Sequence, residues 1–257
     1  MFQPSMDFSF KKPTHLLALF ALLIAFFLLI GLAVLSFIGI GPSTASSQIS
    51  TVPASMQIYV EIFALIIQLL IVVIGIFLGV PFLWYFLVNR LSVKQMLERI
   101  QLRKERFDRA LMWGVFAVFF TFILTIIINA IVLRLTSANP ETLSNIPTLL
   151  EFFSPPTLFI LVAVQPIGEE IFFRGFLLDK ITGLIGPKTA ILTTAVLFGL
   201  SHLSYGMAYT TVIATLLGVV FAVIVIKTKS LYSSIFAHIT INIISLSLFF
   251  IDKSLGF

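Results

Sequence analysis

The chain has no cysteine and very little charge: only 11% of its 257 residues are Asp, Glu, Lys or Arg. The first absence excludes disulfides, thiolate metal centres and cysteine nucleophiles. The second excludes an ordinary soluble domain, in which about a quarter of residues are charged. Hydrophobic residues make up 59% of the chain, 28 of them are Phe, and the mean hydropathy is +1.13. No cleavable signal peptide is expected either. The first apolar run, about Leu16–Ile40, exceeds the ~7–15 residues of a signal-peptide core, and no convincing small-x-small cleavage site follows it. We find no internal repeat and no low-complexity tract.

These absences leave an all-α, polytopic transmembrane helical bundle as the expected fold class. A spanning helix needs ~20 mostly apolar residues. Seven segments meet or approach this: Leu16–Ile40, Ile58–Val88, Ala110–Leu133, Thr157–Leu178, Lys188–Leu203, Met207–Ile226 and Leu231–Ile251. The second is long enough to tilt, or to break near Gly79 and Pro81, so the expectation is seven to eight helices. We divide the chain into a three-helix N-terminal region, residues 1–146, and a four-helix core, residues 147–257.

A net charge of +5 and a pI near 9.6 do not indicate nucleic acid here, because the basic residues sit between apolar segments, where they set orientation. Lys11 and Lys12 precede the first segment. Residues 89–109 carry Arg90, Lys94, Arg99, Arg103, Lys104, Arg106 and Arg109. Lys180, Lys188, Lys227 and Lys229 mark two further turns. The intervening connections, Gly41–Ser55, Thr136–Pro147 and Ser204–Gly206, hold one charge between them, Glu141. Arg134 is the exception, at the outer end of the third segment. This alternation predicts an integral, multi-pass protein of the plasma membrane with a cytoplasmic N-terminus and an outside C-terminus. Val93, Leu97, Ile100 and Phe107 lie near one helical face among the basic residues. That pattern fits either a helix resting on anionic lipid or a solvated loop.

Against this background, three polar clusters inside apolar segments stand out. An ionisable side chain at membrane depth costs several kcal/mol unless paired or hydrated. Glu170 and Arg174 are i,i+4 and fall on one helical face, where they can pair. Glu169 is turned ~100° away, has no evident local partner, and follows Pro166 and Gly168, where a kink would make room for water. The second cluster is Phe198-x-x-x-His202. The third is His238-x-x-x-Asn242, again i,i+4. Each has a plain structural alternative: an ion-paired lock, an interfacial histidine, and a polar pair joining two helices. At ~1.5 Å per residue, Glu169 lies ~16 Å in from Lys180, His202 ~21 Å in from Lys188, and His238 ~10 Å in from Leu231. A shared site therefore requires helices that start at different heights.

The order Glu-Glu-x-x-x-Arg, Phe-x-x-x-His, His-x-x-x-Asn resembles the CAAX protease and bacteriocin-processing family (CPBP, or Abi) of intramembrane proteases. Its best-known members trim the tails of prenylated proteins. The resemblance covers about residues 150–250. It implies a catalytic set of Glu169, His202, His238 and Asn242, with Glu170, Arg174 and Phe198 supporting the site. Glu169 with His202 would activate a water, and His238 with Asn242 would hold the oxyanion. The expected cofactor is none; zinc on Glu169, His202 and His238 is the alternative, weakened by the lack of a His-Glu-x-x-His spacing. Expected partners are the lipid bilayer and a peptide or protein substrate, and no nucleic acid. Two other readings compete with an endopeptidase: a non-catalytic membrane protein on the same fold, acting in bacteriocin immunity or as a scaffold, and a proton-coupled transporter. The transporter is disfavoured by the lack of a repeat.

Overall fold

Apolar side chains outside and backbone hydrogen bonds satisfied within each segment are what a bilayer demands of a helix, and the described spanning helices follow that rule. The computed structural model describes residues 8–38, 53–102, 107–136, 146–150, 153–203 and 208–255. Among them the elements are helices: α1 (Pro13–Leu35), α2 (Ser55–Leu87), α3 (Val93–Arg99), α4 (Phe107–Thr136), α5 (Ile146–Leu150), α6 (Pro155–Ile185), α7 (Pro187–Ser201), α8 (Ala208–Thr228) and α9 (Tyr232–Leu255). Six of these, α1, α2, α4, α6, α8 and α9, are long and apolar enough to span a membrane. The uncharged stretch 41–52, the basic residues 103, 104 and 106, Glu141 and the turn 204–206 lie outside the described residues.

The fifth predicted segment differs in length. It forms α7, whose 15 residues reach only ~22 Å, against a hydrocarbon layer of ~30 Å. Gly186, at φ +81°, ends α6, and Pro187 occupies the first turn of α7, as left-handed glycine and N-terminal proline do at helix ends. A short helix is tolerated because α7 lies against α8 along a seam of small residues. Ala190 and Ala222 pack together in one cluster. A Cβ on Gly218 would stand 2.9 Å from Ala195 Cα, and one on Gly199 would stand 2.7 Å from the Thr211 carbonyl oxygen. Such close backbone approach is how helices associate where lipid is as apolar as leucine.

The second segment does not break at Gly79 or Pro81. It continues through wide i→i+5 turns over Gln68–Gly79 and returns to α-helix at Val80. Shorter wide-turn stretches lie at Phe27–Gly31 within α1 and at Ile171–Leu177, where one interrupts α6 immediately after Glu169 and Glu170. Insertions of this kind recur at functional sites. α6 is the most buried of the spanning helices. Its Phe172, Phe173 and Phe176 are fully buried against Phe77, Trp84 and Tyr85 of α2.

The basic segment is also arranged differently from its sequence pattern. Ser92 caps α3 in a reciprocal pair with Gln95, a capping box, and the helix ends at Arg99. Its buried face is Met96 with Ile100 just beyond, whereas Val93 and Leu97 point outward and Phe107 belongs to α4. The four apolar residues therefore do not share one face. Ile100 packs on Gly175 of α6, Arg99 pairs with Asp179 at 3.0 Å, and the Leu231 amide donates to the Gln101 carbonyl at 3.1 Å.

The seam yields a stability test. Gly218→Leu forces a side chain into Ala195, and overpacking of this kind costs ~1–3 kcal/mol. Gly183→Ala meets nothing within 4 Å and relieves glycine entropy worth ~0.5–1 kcal/mol in a helix. In thermal unfolding of the detergent-solubilised protein, the first variant melts below the parent and the second at or slightly above it.

Candidate functional site

Leu231, the residue before α9, lies level with Gly175, since a Cβ on Gly175 would meet both Ile100 and Leu231. His238 is seven residues up α9 from that level, ~10 Å, and Glu169 is six residues back up α6, ~9 Å. The two side chains therefore meet. A similar register holds for α7. Phe198 lies edge-on to Phe173, with centroids 5.1 Å apart, and sits 4.1 Å from the Arg174 guanidinium. His202 is one turn further, at the height of Glu169. The stagger that a common site requires is thus built by packing at the level of Phe173–Gly175.

Arg174 and Glu170 form the predicted pair, with Arg174 Nη1 donating to Glu170 Oε1 at 2.7 Å and both side chains buried. The same Glu170 oxygen lies 2.9 Å from His238 Nδ1. An ionised carboxylate only accepts, so Nδ1 carries the proton and donates it. This leaves His238 Nε2 facing Glu169 Oε2 at 3.7 Å. His202 is fixed similarly: its Nδ1 donates to the Phe198 carbonyl at 2.9 Å, which turns its Nε2 outward. The Arg174 guanidinium is further compensated by the faces of Phe198 and Phe221, the latter 5.3 Å away. Desolvated cation–π contacts are worth ~2 kcal/mol.

Glu169 does have a partner, which the sequence reading missed. The Gln165 side-chain amide donates to Glu169 Oε1 at 2.7 Å, and Gln68 of α2 donates to Gln165 Oε1 at 2.8 Å. One carboxylate oxygen is thereby held by an amide chain crossing two helices, and the other faces His238. The signal for Gln165 was its i,i+4 spacing to Glu169. Gln68 was readable only as an isolated polar residue in an apolar span.

Glu169, His202, His238 and Asn242 all line one cavity of about 700 Å³, together with Gln165, Pro166 and Phe198. Pro166 has no amide proton to give the Val162 carbonyl, and both residues face this space. α6 does not break there. Gly168 admits Phe77 of α2, which a Cβ would meet at 2.9 Å. The Asn242 side chain makes no hydrogen bond among the described residues and is half-buried. As to zinc, the described residues form no group of three His, Cys, Asp or Glu side chains spaced to hold a metal.

Fold and site together define a polytopic helical membrane protein with a cavity whose ionisable motif residues Glu169, His202 and His238 come from three late helices, α6, α7 and α9. Residues 151–244 match the family model described as type II CAAX prenyl endopeptidase Rce1-like, which bears out the resemblance carried by the three motifs. No curated protein and no solved structure matches the chain.

The ion pair generates a prediction. Removing one partner of a buried pair costs ~3–5 kcal/mol, whereas apolar replacement of both is often nearly neutral. Arg174→Leu should therefore strongly lower the melting temperature in detergent. Adding Glu170→Leu should recover part of the loss. A double variant less stable than the single would contradict the pairing.

Proposed function

We propose that the protein is an intramembrane endopeptidase that hydrolyses a peptide bond with water activated by Glu169. The observation that carries this reading is the position of the Glu169 carboxylate, held on one oxygen by Gln165 and facing His238 on the other at the wall of the cavity. A carboxylate so oriented can take a proton from water, and general-base assistance contributes ~10²–10⁴-fold.

In this scheme Glu169, assisted by His202 Nε2, removes a proton from water, and the water oxygen bonds to the substrate carbonyl carbon. The resulting oxyanion accepts hydrogen bonds from the Asn242 side-chain amide and from His238 Nε2. Donation by Nε2 requires the doubly protonated ring, because Nδ1–H is committed to Glu170. Glu169 then passes its proton to the amide nitrogen, the C–N bond breaks, and an acid and an amine leave. Glu170 and Arg174 hold His238 at its height, and Phe198 fixes both Arg174 and His202. No step passes through a metal.

The match to a CAAX endopeptidase family supports peptidase chemistry at family level. Asn242 argues against a proton relay, since an amide donor suits an oxyanion and has no use in passing protons. A non-catalytic role on the same fold is the second reading; it predicts no turnover by the wild type. The test is cleavage of a membrane-tethered peptide library in proteoliposomes. Glu169→Gln should abolish cleavage, and Asn242→Ala should lower kcat by ~10²–10³, the usual loss for one oxyanion donor. Activity should persist undiminished in strong chelator. Equal turnover by wild type and Glu169→Gln would overturn the proposal, and loss in chelator restored by zinc would overturn its metal-free form.

A further inference from the structure

The cavity is confined to one half of the bundle. Its lining comes from the second half of α4 (Thr125, Asn129), from α5, from the first halves of α6 and α8, from the end of α7 and from α9 beyond His238. The other half is solid, filled by Phe172, Phe173, Phe176, Phe221 and Leu231, each with no exposed surface. The layer of Glu170, Arg174, Phe198 and Phe221 closes the cavity on that side. Towards the opposite end, Ile251, Asp252 and Leu255 both line the cavity and are exposed. The space therefore runs from Glu169 to the surface at the end where α6 begins and α9 finishes.

That end is the one poor in basic residues. The solid end carries Lys94, Arg99, Arg109, Lys180, Lys188 and Lys227, whereas Arg134 and Lys253 are the only basic residues near the open end among those described. Lys and Arg mark the cytoplasmic side. Along the open channel, His238, Asn242, Ser245 and Asp252 line one wall from a single face of α9, at steps of four, three and seven residues. This stripe covers ~21 Å, the length of about six residues of extended chain at ~3.3 Å each. Polar groups at this spacing on an otherwise apolar wall suit an extended backbone carrying apolar side chains.

We infer that the site is entered from the non-cytoplasmic face, and that its substrate is an extended, mostly apolar polypeptide segment presented there and laid along the His238–Asp252 stripe. The direction of entry stands on geometry and charge alone; the nature of the substrate rests on the endopeptidase reading.

The lack of native cysteine makes the test direct. Single variants Ser245→Cys, Thr125→Cys and Asp252→Cys, with Lys188→Cys as the opposite-face reporter, are exposed to a membrane-impermeant maleimide in sealed right-side-out vesicles. The first three are labelled from outside, and Lys188→Cys only after the vesicles are opened. Labelling of Ser245→Cys and Thr125→Cys only after opening would overturn the inference, as would protection of both from outside while Asp252→Cys reacts. A bulky maleimide on Ser245→Cys should also reduce peptide cleavage at least tenfold, and a cleavable peptide should slow the labelling. Outside labelling without any cleavage by the parent would leave the entry direction standing and remove the endopeptidase reading. Cleavage unaffected by the bulky group would overturn the substrate path.

Discussion

A buried guanidinium must be neutralised where it lies, and Arg174 imposes that condition on everything around it. Taking two opposite charges out of water costs several kcal/mol per ion, and the cost is recovered only with good geometry and further hydrogen bonds. Glu170 supplies the countercharge from one turn away on the same helix. Its oxygen is shared with His238, so satisfying the arginine also fixes the height of α9. Phe198 and Phe221 cover the guanidinium, so the same requirement also positions α7 and α8. The cavity residues stand one turn beyond this layer, and their arrangement follows from it.

The molecule accordingly has a rigid half and a hollow half. In the rigid half, phenylalanine rings interlock between α2 and α6, and the basic segment is clamped on by Arg99–Asp179 and by Ile100 on Gly175. Such a floor keeps the imidazoles in place through contacts made within the protein itself. In the hollow half the walls are helices whose outer faces are apolar and whose inner faces carry isolated polar groups. Glu61 of α2 accepts the Ser154 amide at 2.8 Å at the start of α6, and Tyr209 of α8 hydrogen-bonds to Asn129 of α4. These pins sit near the open end and tie the walls together while leaving the space between them clear.

Much of this was legible in the residues. Length, hydropathy and the sparse charge define the helices, because only long apolar runs with internally satisfied backbones are stable in lipid. The i,i+4 spacings of Glu170 with Arg174 and of His238 with Asn242 already state which side chains share a face, because helical geometry is local. The grouping of the three motifs was readable only through their resemblance to a family, since nothing local to α6, α7 or α9 says how far one helix slides past another. The arithmetic of depth even left the three clusters about 10 Å out of step.

Tertiary packing decided that offset. The level of Leu231 beside Gly175, the shared Glu170 oxygen and the seat of Phe198 on Arg174 are contacts between residues far apart in sequence. The same is true of the Gln68–Gln165–Glu169 chain, whose first member gives no sign in sequence of where it points. The truncated α7, the inward turn of Met96 and Ile100, and the confinement of the cavity to one half all arise where helices meet. The chain alone specified which segments are helical, which faces carry charge and what chemistry the polar residues are suited to. Their common height, the partner of each carboxylate and the face on which the cavity opens depend on how side-chain volumes fit between helices, a property no single segment possesses.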